Sequence, residues 1–286
     1  MCLEFLHQHG AGRRVFLRRS VAAAAALAAG PILFHTTAEA HSSVTTQSGA
    51  ASPDDSSSAP ADAPDQTDTL QVTPLGHSAI RIEHDGFAIV IDPGILSAQG
   101  AAVGADALLI THEHPDHYDP GRIQAAVAAR PGLPIWTNTS VAAPLDGSGA
   151  DVHIIGDGDA FDVGGVSVQC YGEWHAPLHP EIPVVRNTGF LVGGRIFHPG
   201  DALTDPKMPV DLLLVPVQEF FARADELVSY IRQLRPSQVS PVHDATLNNL
   251  GQLVIDHFLA EQPTPGAAAG TGVAYARLGA GTPVSM

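Results

Sequence analysis

The stretch Thr111-His112-Glu113-His114-Pro115-Asp116-His117 constrains this chain more than any other, because it packs three histidines and an aspartate behind an apolar run. That run, Ala107-Leu108-Leu109-Ile110, is short and wholly apolar, the pattern of a strand buried on both faces of a sheet. The H-x-H-x-D-H spacing therefore begins where a core strand ends. His112 and His114 are two positions apart, so in extended backbone their side chains leave on the same side. Pro115 steers His114 away from helical backbone. Asp119-Pro120 supplies an N-cap and a first-turn proline, which predicts a helix through about Ala129. Asp116 and His117 fall on the intervening turn and aim differently from the first pair. Two ligand pairs on one short turn suit two adjacent metal ions better than one. The chain has 15 histidines, and lone ones are commonly exposed or satisfied inside a core. Four nitrogen and oxygen ligands behind a core strand would be costly without a cation to bind.

The N-terminus belongs to a different problem. Arg13-Arg14-Val15-Phe16-Leu17-Arg18 matches the twin-arginine export pattern R-R-x-F-L-[KR], an apolar run follows from Val21 to Ala29, and Ala38-Glu39-Ala40 offers an A-x-A cleavage site. A membrane span needs roughly 20 apolar residues, more than this run provides before Gly30-Pro31. The expectation is a signal peptide over residues 1–40, cleaved after export by the twin-arginine route, leaving a periplasmic or extracellular protein with no stable membrane anchor. Apart from His41 and Gly49, residues 41–68 are Ser, Thr, Ala, Pro, Asp and Gln with one Val and no Phe, Trp or Tyr, which predicts a disordered spacer. The folded domain is expected over 69–286.

Charge narrows the partners. Of 14 Lys and Arg and 30 Asp and Glu, the first 40 residues hold four Arg and two Glu, so the chain beyond them carries 10 basic against 28 acidic residues, a net of −18. A single lysine, Lys207, and no arginine cluster after Arg19 argue against nucleic acid and in favour of a small-molecule substrate. Cys170 alone remains after residue 40, in the strand pattern Val166-Ser167-Val168-Gln169-Cys170-Tyr171, and reads as a small buried hydrophobe.

Along the domain, strands are predicted at Leu70 to Leu75, Ala79 to Glu83 and Phe87 to Ile91, the last two joined by Asp85-Gly86. Ile135 to Thr137, a helix from Ser140, Val152 to Ile155 and the Cys170 strand follow. Thr188 to Val192 and Arg195 to His198 pair across Gly193-Gly194. Leu212 to Val215 is again fully apolar, Asp225 to Leu234 is helical, Gln238 to Val242 is a strand, Leu247 to Leu259 a helix, and Val273 to Arg277 a last strand. Hairpins first, then strands alternating with helices, predict an α/β domain of two layered sheets. His175, Asp201 and His243 each follow a strand as His112 does, which gathers polar ligands beyond strand ends.

H-x-H-x-D-H, a later His, a Gly-Asp and a final Pro-Val-His resemble the metallo-β-lactamase superfamily. Gly76-His77-Ser78, Asp92-Pro93 and His198-Pro199-Gly200-Asp201 resemble its branch related to ascorbate-6-phosphate lactonase, with some likeness to the phospholipase D acting on N-acyl-phosphatidylethanolamine. The resemblance runs from about Leu70 to about Leu259 and implies a four-layered αββα sandwich in a single domain. It implies a dinuclear hydrolase in which a metal-bridging hydroxide attacks an ester, lactone or phosphoester. His112, His114 and His175 would take one divalent ion and Asp116, His117 and His243 the other, with Asp201 bridging. Zinc is the expected metal, and ligands without thiolate also admit manganese or iron. Asp116 would pass a proton to the leaving group, Asp92 would orient a ligand, and His77 and His179 would line the pocket. His175 is favoured over His179 as ligand because it lies closer to a strand end. Relatives that cleave β-lactams often carry Cys or His where this chain has Asp201, so β-lactam cleavage is not expected. The alternative is a metal-binding module of the same fold without turnover.

Overall fold

The computed structural model describes residues 69–218, 222–260 and 271–286. The expected export signal and spacer lie outside the described residues, as does most of the glycine-rich stretch after Pro265. The described chain forms two seven-stranded sheets. The first holds β1 (Gln71–Gly76), β2 (Ala79–His84), β3 (Phe87–Ile91), β4 (Ala107–Ile110), β5 (Pro134–Thr137) and β6 (Asp151–Ile154) side by side in chain order. The second runs through β7 (Ala160–Val163), β8 (Val166–Tyr171), β9 (Gly189–Val192), β10 (Ile196–His198), β11 (Leu212–Pro216), β12 (Gln238–Val242) and β13 (Ala274–Tyr275). β14 (Val284–Ser285) returns to the first sheet and pairs antiparallel with β1.

Each sheet is antiparallel along one half and parallel along the other. In the first, β1, β2 and β3 are hairpin neighbours, whereas β3 to β6 pair in parallel. In the second, β7 to β10 are antiparallel and β10 to β13 parallel. The parallel strands β4 and β11 are apolar without alternation, because both of their faces are covered. Ala107 and Leu109 of β4 join Val72, Ile80, Ile82, Ile89 and Ile91 in a core between the sheets, against Val168, Cys170, Phe190, Val192, Leu212 and Leu214. Leu108 and Ile110 face the other way, onto Ile123 and Val127 of α1 (Pro120–Ala129) and Val141 and Leu145 of α2 (Thr139–Leu145). Leu213 and Val215 do the same on the second sheet, onto Leu227 and Ile231 of α3 (Ala224–Leu234) and Leu259 of α4 (Asn249–Leu259). The layers are therefore helix, sheet, sheet, helix, the αββα arrangement.

Local chemistry sets most boundaries. Asp119 caps α1 through its side chain, with Pro120 in the first turn. The helix expected from Leu247 starts two residues later, because Asn248 is its N-cap and accepts from the Gly251 amide. The strand expected over Val273 to Arg277 pairs only at Ala274 and Tyr275, since the chain then carries Arg277 onto Asp244 and Asp256. The hairpin leading to the Cys170 strand turns at Gly164-Gly165, where both residues have positive φ.

The sheets are tied together below the site. The Thr111 carbonyl accepts from Asn138 Nδ2 at 2.9 Å on the first-sheet side and from the Thr188 amide at 3.0 Å on the other. One glycine is required by close approach. A Cβ on Gly94 would lie 1.9 Å from the Asp116 carbonyl oxygen, while the neighbouring Ile95 amide donates to Pro115 O at 2.9 Å. The β3 loop thus packs backbone to backbone against the turn that carries Asp116 and His117. Gly94→Ala is expected to destabilise the fold by at least about 2 kcal/mol, since the crowded partner is backbone and has no rotamer to escape into. Urea unfolding checks this, and an unchanged midpoint would show that the two loops are free to separate.

Candidate metal centre

Polar side chains gather where the strands of both sheets end on one side of the sandwich. Asp92 follows β3, residues 111–117 follow β4, His175 lies beyond β8, Asp201 beyond β10, and His243 directly follows β12. His77 and Ser78 sit in the β1–β2 turn. Three of these residues turn the chain sharply with left-handed backbone, His77 at φ 53°, Asp92 at 47° and His243 at 59°. Such conformations cost of order 1 kcal/mol or more for non-glycine residues and persist only where the surroundings impose them. His112, His117, His175, Asp201 and Asp92 are all buried, and Asp116 is the carboxylate partly open to solvent, with 27% of its side chain exposed.

The side chains form two groups. His112, His114, His175 and Asp201 present ligand atoms that all lie within 4.8 Å of one another, and so do His77, Asp116, His117 and His243. Asp201 joins the groups: its Oδ2 lies 3.3 Å from His175 Nε2, 3.5 Å from His112 Nε2 and 3.4 Å from His243 Nε2, while Oδ1 is 3.1 Å from His117 Nε2. His179 is exposed on the loop beyond His175, its ring accepting from the Glu181 amide, and it joins neither group. His77, expected to line the pocket, is instead buried inside the second group, its Nε2 3.2 Å from Asp116 Oδ2.

Outer hydrogen bonds decide which ring atoms face the centre. His117 Nδ1 lies 2.7 Å from Asp92 Oδ2, His175 Nδ1 2.6 Å from Ala176 O, and His243 Nδ1 2.7 Å from Gln218 O. Because those partners only accept, each Nδ1 carries the proton. His112 Nδ1 lies 2.9 Å from Thr111 Oγ1, whose hydroxyl already donates to Asp92 Oδ2, so that ring nitrogen also donates. In the neutral rings all four Nε2 lone pairs then point inward, onto carboxylate oxygens and, for His112, onto His114 Nδ1 at 3.1 Å. Acceptor atoms facing acceptor atoms in a buried site fit a cation between them, and a histidine ligand whose other nitrogen donates outward is the usual arrangement around metals. Asp201 Oδ1 is moreover buried, with the His117 ring nitrogen 3.1 Å away.

The protonation pattern agrees. Burial pushes the His112 ring down to about 4, with the charge on His117 adding and Asp201 opposing. Burial also takes His114 down to about 3, with His112 and His175 adding. Burial opposes ionisation of Asp201, Asp92 and Asp116, yet the surrounding rings, His117 above all for the first two, hold all three carboxyls below their usual range. For Asp116 the His243 and His77 rings beside it are the largest counterweights. His117 goes the other way: burial lowers it, but Asp201 and Asp92 outweigh burial and raise it well above the ordinary histidine value. Ionised carboxylates gathered among buried rings make the cluster a place where positive charge is stabilised.

Behind these side chains lies a supporting layer in which the sequence had assigned a role to Asp92 but none to Asn187 or His198. Asp92 accepts from the Thr111 amide at 2.8 Å and its hydroxyl at 2.7 Å as well as from His117. Asn187 accepts from the Asp201 amide at 3.0 Å and donates to Pro199 O at 2.8 Å, which fixes the turn holding Asp201. His198 bridges Ser78 O and the Gly200 amide. The sequence signal for Asn187 and His198 was only their place beside strand ends.

The family follows from the sequence between β1 and β12, which matches the beta-lactamase superfamily domain over residues 71–243. The chain belongs to the metallo-β-lactamase superfamily of metal-dependent hydrolases. Among similar proteins, Protein Rv0786c of Mycobacterium tuberculosis is 35% identical over 182 residues, covering 62% of this chain and 84% of that protein. A UPF0173 metal-dependent hydrolase of Thermus thermophilus is 29% identical over 202 residues, covering 64% and 87%. The structure of Igni18, a metallo hydrolase from Ignicoccus hospitalis, superposes with a TM-score of 0.56 at 18% identity, covering 76% of this chain and 98% of that one. The metallo-β-lactamase fold protein YhfI of Bacillus subtilis gives 0.56 at 14% identity, covering 77% and 100%. These two likenesses concern the fold.

A pH dependence follows from His117. Its raised value means that its pairing with Asp92 and Asp201 stabilises the metal-free fold fully below the ring's unfolded value of 6.5 and is lost as pH rises through the higher folded value. Chelator-treated protein is therefore expected to lose unfolding free energy from this pairing as pH rises above about 6.5. Asp92→Asn should flatten that slope, measured by denaturant unfolding across pH. Parallel slopes in the two proteins would contradict the pairing.

Proposed function

We propose that this chain is a dinuclear metal hydrolase of a small ester, lactone or phosphoester. The observation that carries the reading is Asp201, one buried carboxylate placed against rings of both groups. His112, His114 and His175 would hold one divalent ion and Asp116, His117 and His243 the second, with Asp201 shared. Nitrogen and oxygen donors without thiolate suit zinc and also admit manganese or iron. Bound there, two such ions supply an activated hydroxide and polarise the substrate oxygen.

The chain's own groups do the rest. Asp92, Ala176 O and Gln218 O hold His117, His175 and His243 in the tautomer that presents Nε2. The sandwich excludes water from beneath the centre, since Thr111, His112, Thr137 and Asn187 are fully buried. Of the two grouped carboxylates, Asp116 is the one open to solvent, 27% exposed against 2% for Asp201. Its Oδ2 is engaged by His77 and His243, so Oδ1 is the atom placed to take a proton and pass it to a leaving group.

Asp201→Asn tests the reading, because it keeps the shape and removes the shared charge. Affinity for one of the two ions should fall and turnover should drop by at least about 100-fold, beyond what loss of an outer hydrogen bond usually does. The measurement is metal content together with hydrolysis of a panel of esters, lactones and phosphodiesters by the metal-loaded protein. Full turnover in Asp201→Asn would sink the mechanism. A wild type that holds both ions yet cleaves nothing on the panel would favour a metal-binding module instead.

A further inference from the structure

His77 lies close enough to the second group to be counted among its ligands: its Nε2 is within 4.8 Å of the ligand atoms of Asp116, His117 and His243. Its hydrogen bonds set it apart from the other rings. His117, His175 and His243 each donate outward from Nδ1 to an oxygen that only accepts, which turns Nε2 toward the centre. His77 Nδ1 instead receives the backbone amide of Ala245, at 3.3 Å. A nitrogen that accepts an N–H bears no proton, so in the neutral ring the proton sits on Nε2. That N–H points at Asp116 Oδ2, 3.2 Å away. The ring is fully buried and so is closed to substrate.

The same Asp116 oxygen lies 3.2 Å from Nε2 of His243, whose Nδ1 donates outward to Gln218 O. Oδ2 therefore has an N–H donor on one side and, on the other, a ring nitrogen with which it could share a cation. The placement of His77 is itself held twice. The His243 amide donates to the His77 carbonyl at 3.1 Å, and the Ala245 amide to its ring, so the β1–β2 turn and the segment after β12 are latched around Asp116. Left-handed backbone at His77 and His243 makes the latch, at φ 53° and 59°.

We infer that His77 is a positioning residue and not a metal ligand: its Nε2–H donates to Asp116 Oδ2 and fixes that carboxylate in a one-oxygen contact with the second metal ion. The inference rests on the two-ion reading above. Its consequence is an open position. With His77 withheld and Asp116 engaged through Oδ2, the second ion would have Asp116, His117, His243 and Asp201 from the protein. Oδ1 takes no part in either of these contacts, on a side chain partly open to solvent.

The test pairs a wild-type measurement with two variants at the same left-handed backbone. In ¹¹³Cd-loaded, ¹⁵N-histidine-labelled protein, His117 and His243 Nε2 should show coupling to cadmium. His77 should show a protonated Nε2, an unprotonated Nδ1 and no coupling. His77→Leu removes the donor, whereas His77→Gln keeps an amide N–H at similar reach, and both carry the same backbone strain. By competition with a chelator, His77→Leu should still bind two ions but hold the second about 10- to 100-fold more weakly, as loss of an outer hydrogen bond to a ligand does. His77→Gln should recover most of that affinity. Coupling of His77 Nε2 to cadmium would overturn the inference, and so would equal loss of the second ion in both variants. A wild type that binds a single ion under metal excess would instead remove the two-ion reading on which the inference stands.

Discussion

The buried carboxylate of Asp201 imposes the constraint on which the rest of the site depends. Four histidine Nε2 atoms lie within 3.5 Å of its two oxygens, and three of those rings have Nδ1 committed outward to oxygens that only accept. The fourth, His112, is committed through Thr111. Without a cation, the cluster relieves this crowding by keeping His117 protonated between Asp201 and Asp92. With cations, the same ring nitrogens would become ligands.

The sandwich supplies the rigidity this needs. Each group draws its side chains from strand ends of both sheets, so any sliding of one sheet over the other would pull the members of each group apart. Thr111 O, bonded to Asn138 on one side and Thr188 on the other, resists that sliding directly beneath His112. Asn187 ties the Asp201 turn in the same way, and a Cβ on Gly200 would meet its Oδ1 at 2.2 Å, at a φ of 65°. Left-handed residues at His77, Asp92 and His243 end their strands abruptly and turn the chain at the rim of the site. Their strain is offset by hydrogen bonds: Asp92 alone accepts three.

Much of this was legible in the sequence because it rests on patterns confined to one segment. Ala107-Leu108-Leu109-Ile110 announces a doubly covered strand, and Asp119-Pro120 announces the helix after it. The H-x-H-x-D-H turn announces cations, and strand ends before His175, Asp201 and His243 announce where the other donors go. What escaped is what depends on partners distant in the chain. β14 is two residues long and exists because β1 has an open edge for it. The roles of Asn187 and His198 come from bonds to Pro199, Asp201, Ser78 and Gly200 that no local spacing reveals. His77 was expected at the pocket wall, whereas the β1–β2 turn folds under the site and buries it, which becomes visible only when the segment after β12 is laid against it.

The account turns on whether the two groups of side chains hold two cations at once. Elemental analysis of protein purified without chelator, quantified per chain and repeated after incubation with excess zinc, measures this directly. Two ions per chain, or a rise to two with excess metal, is the predicted result. A ratio that stays at one whatever the excess would contradict the shared role of Asp201 and with it the dinuclear centre.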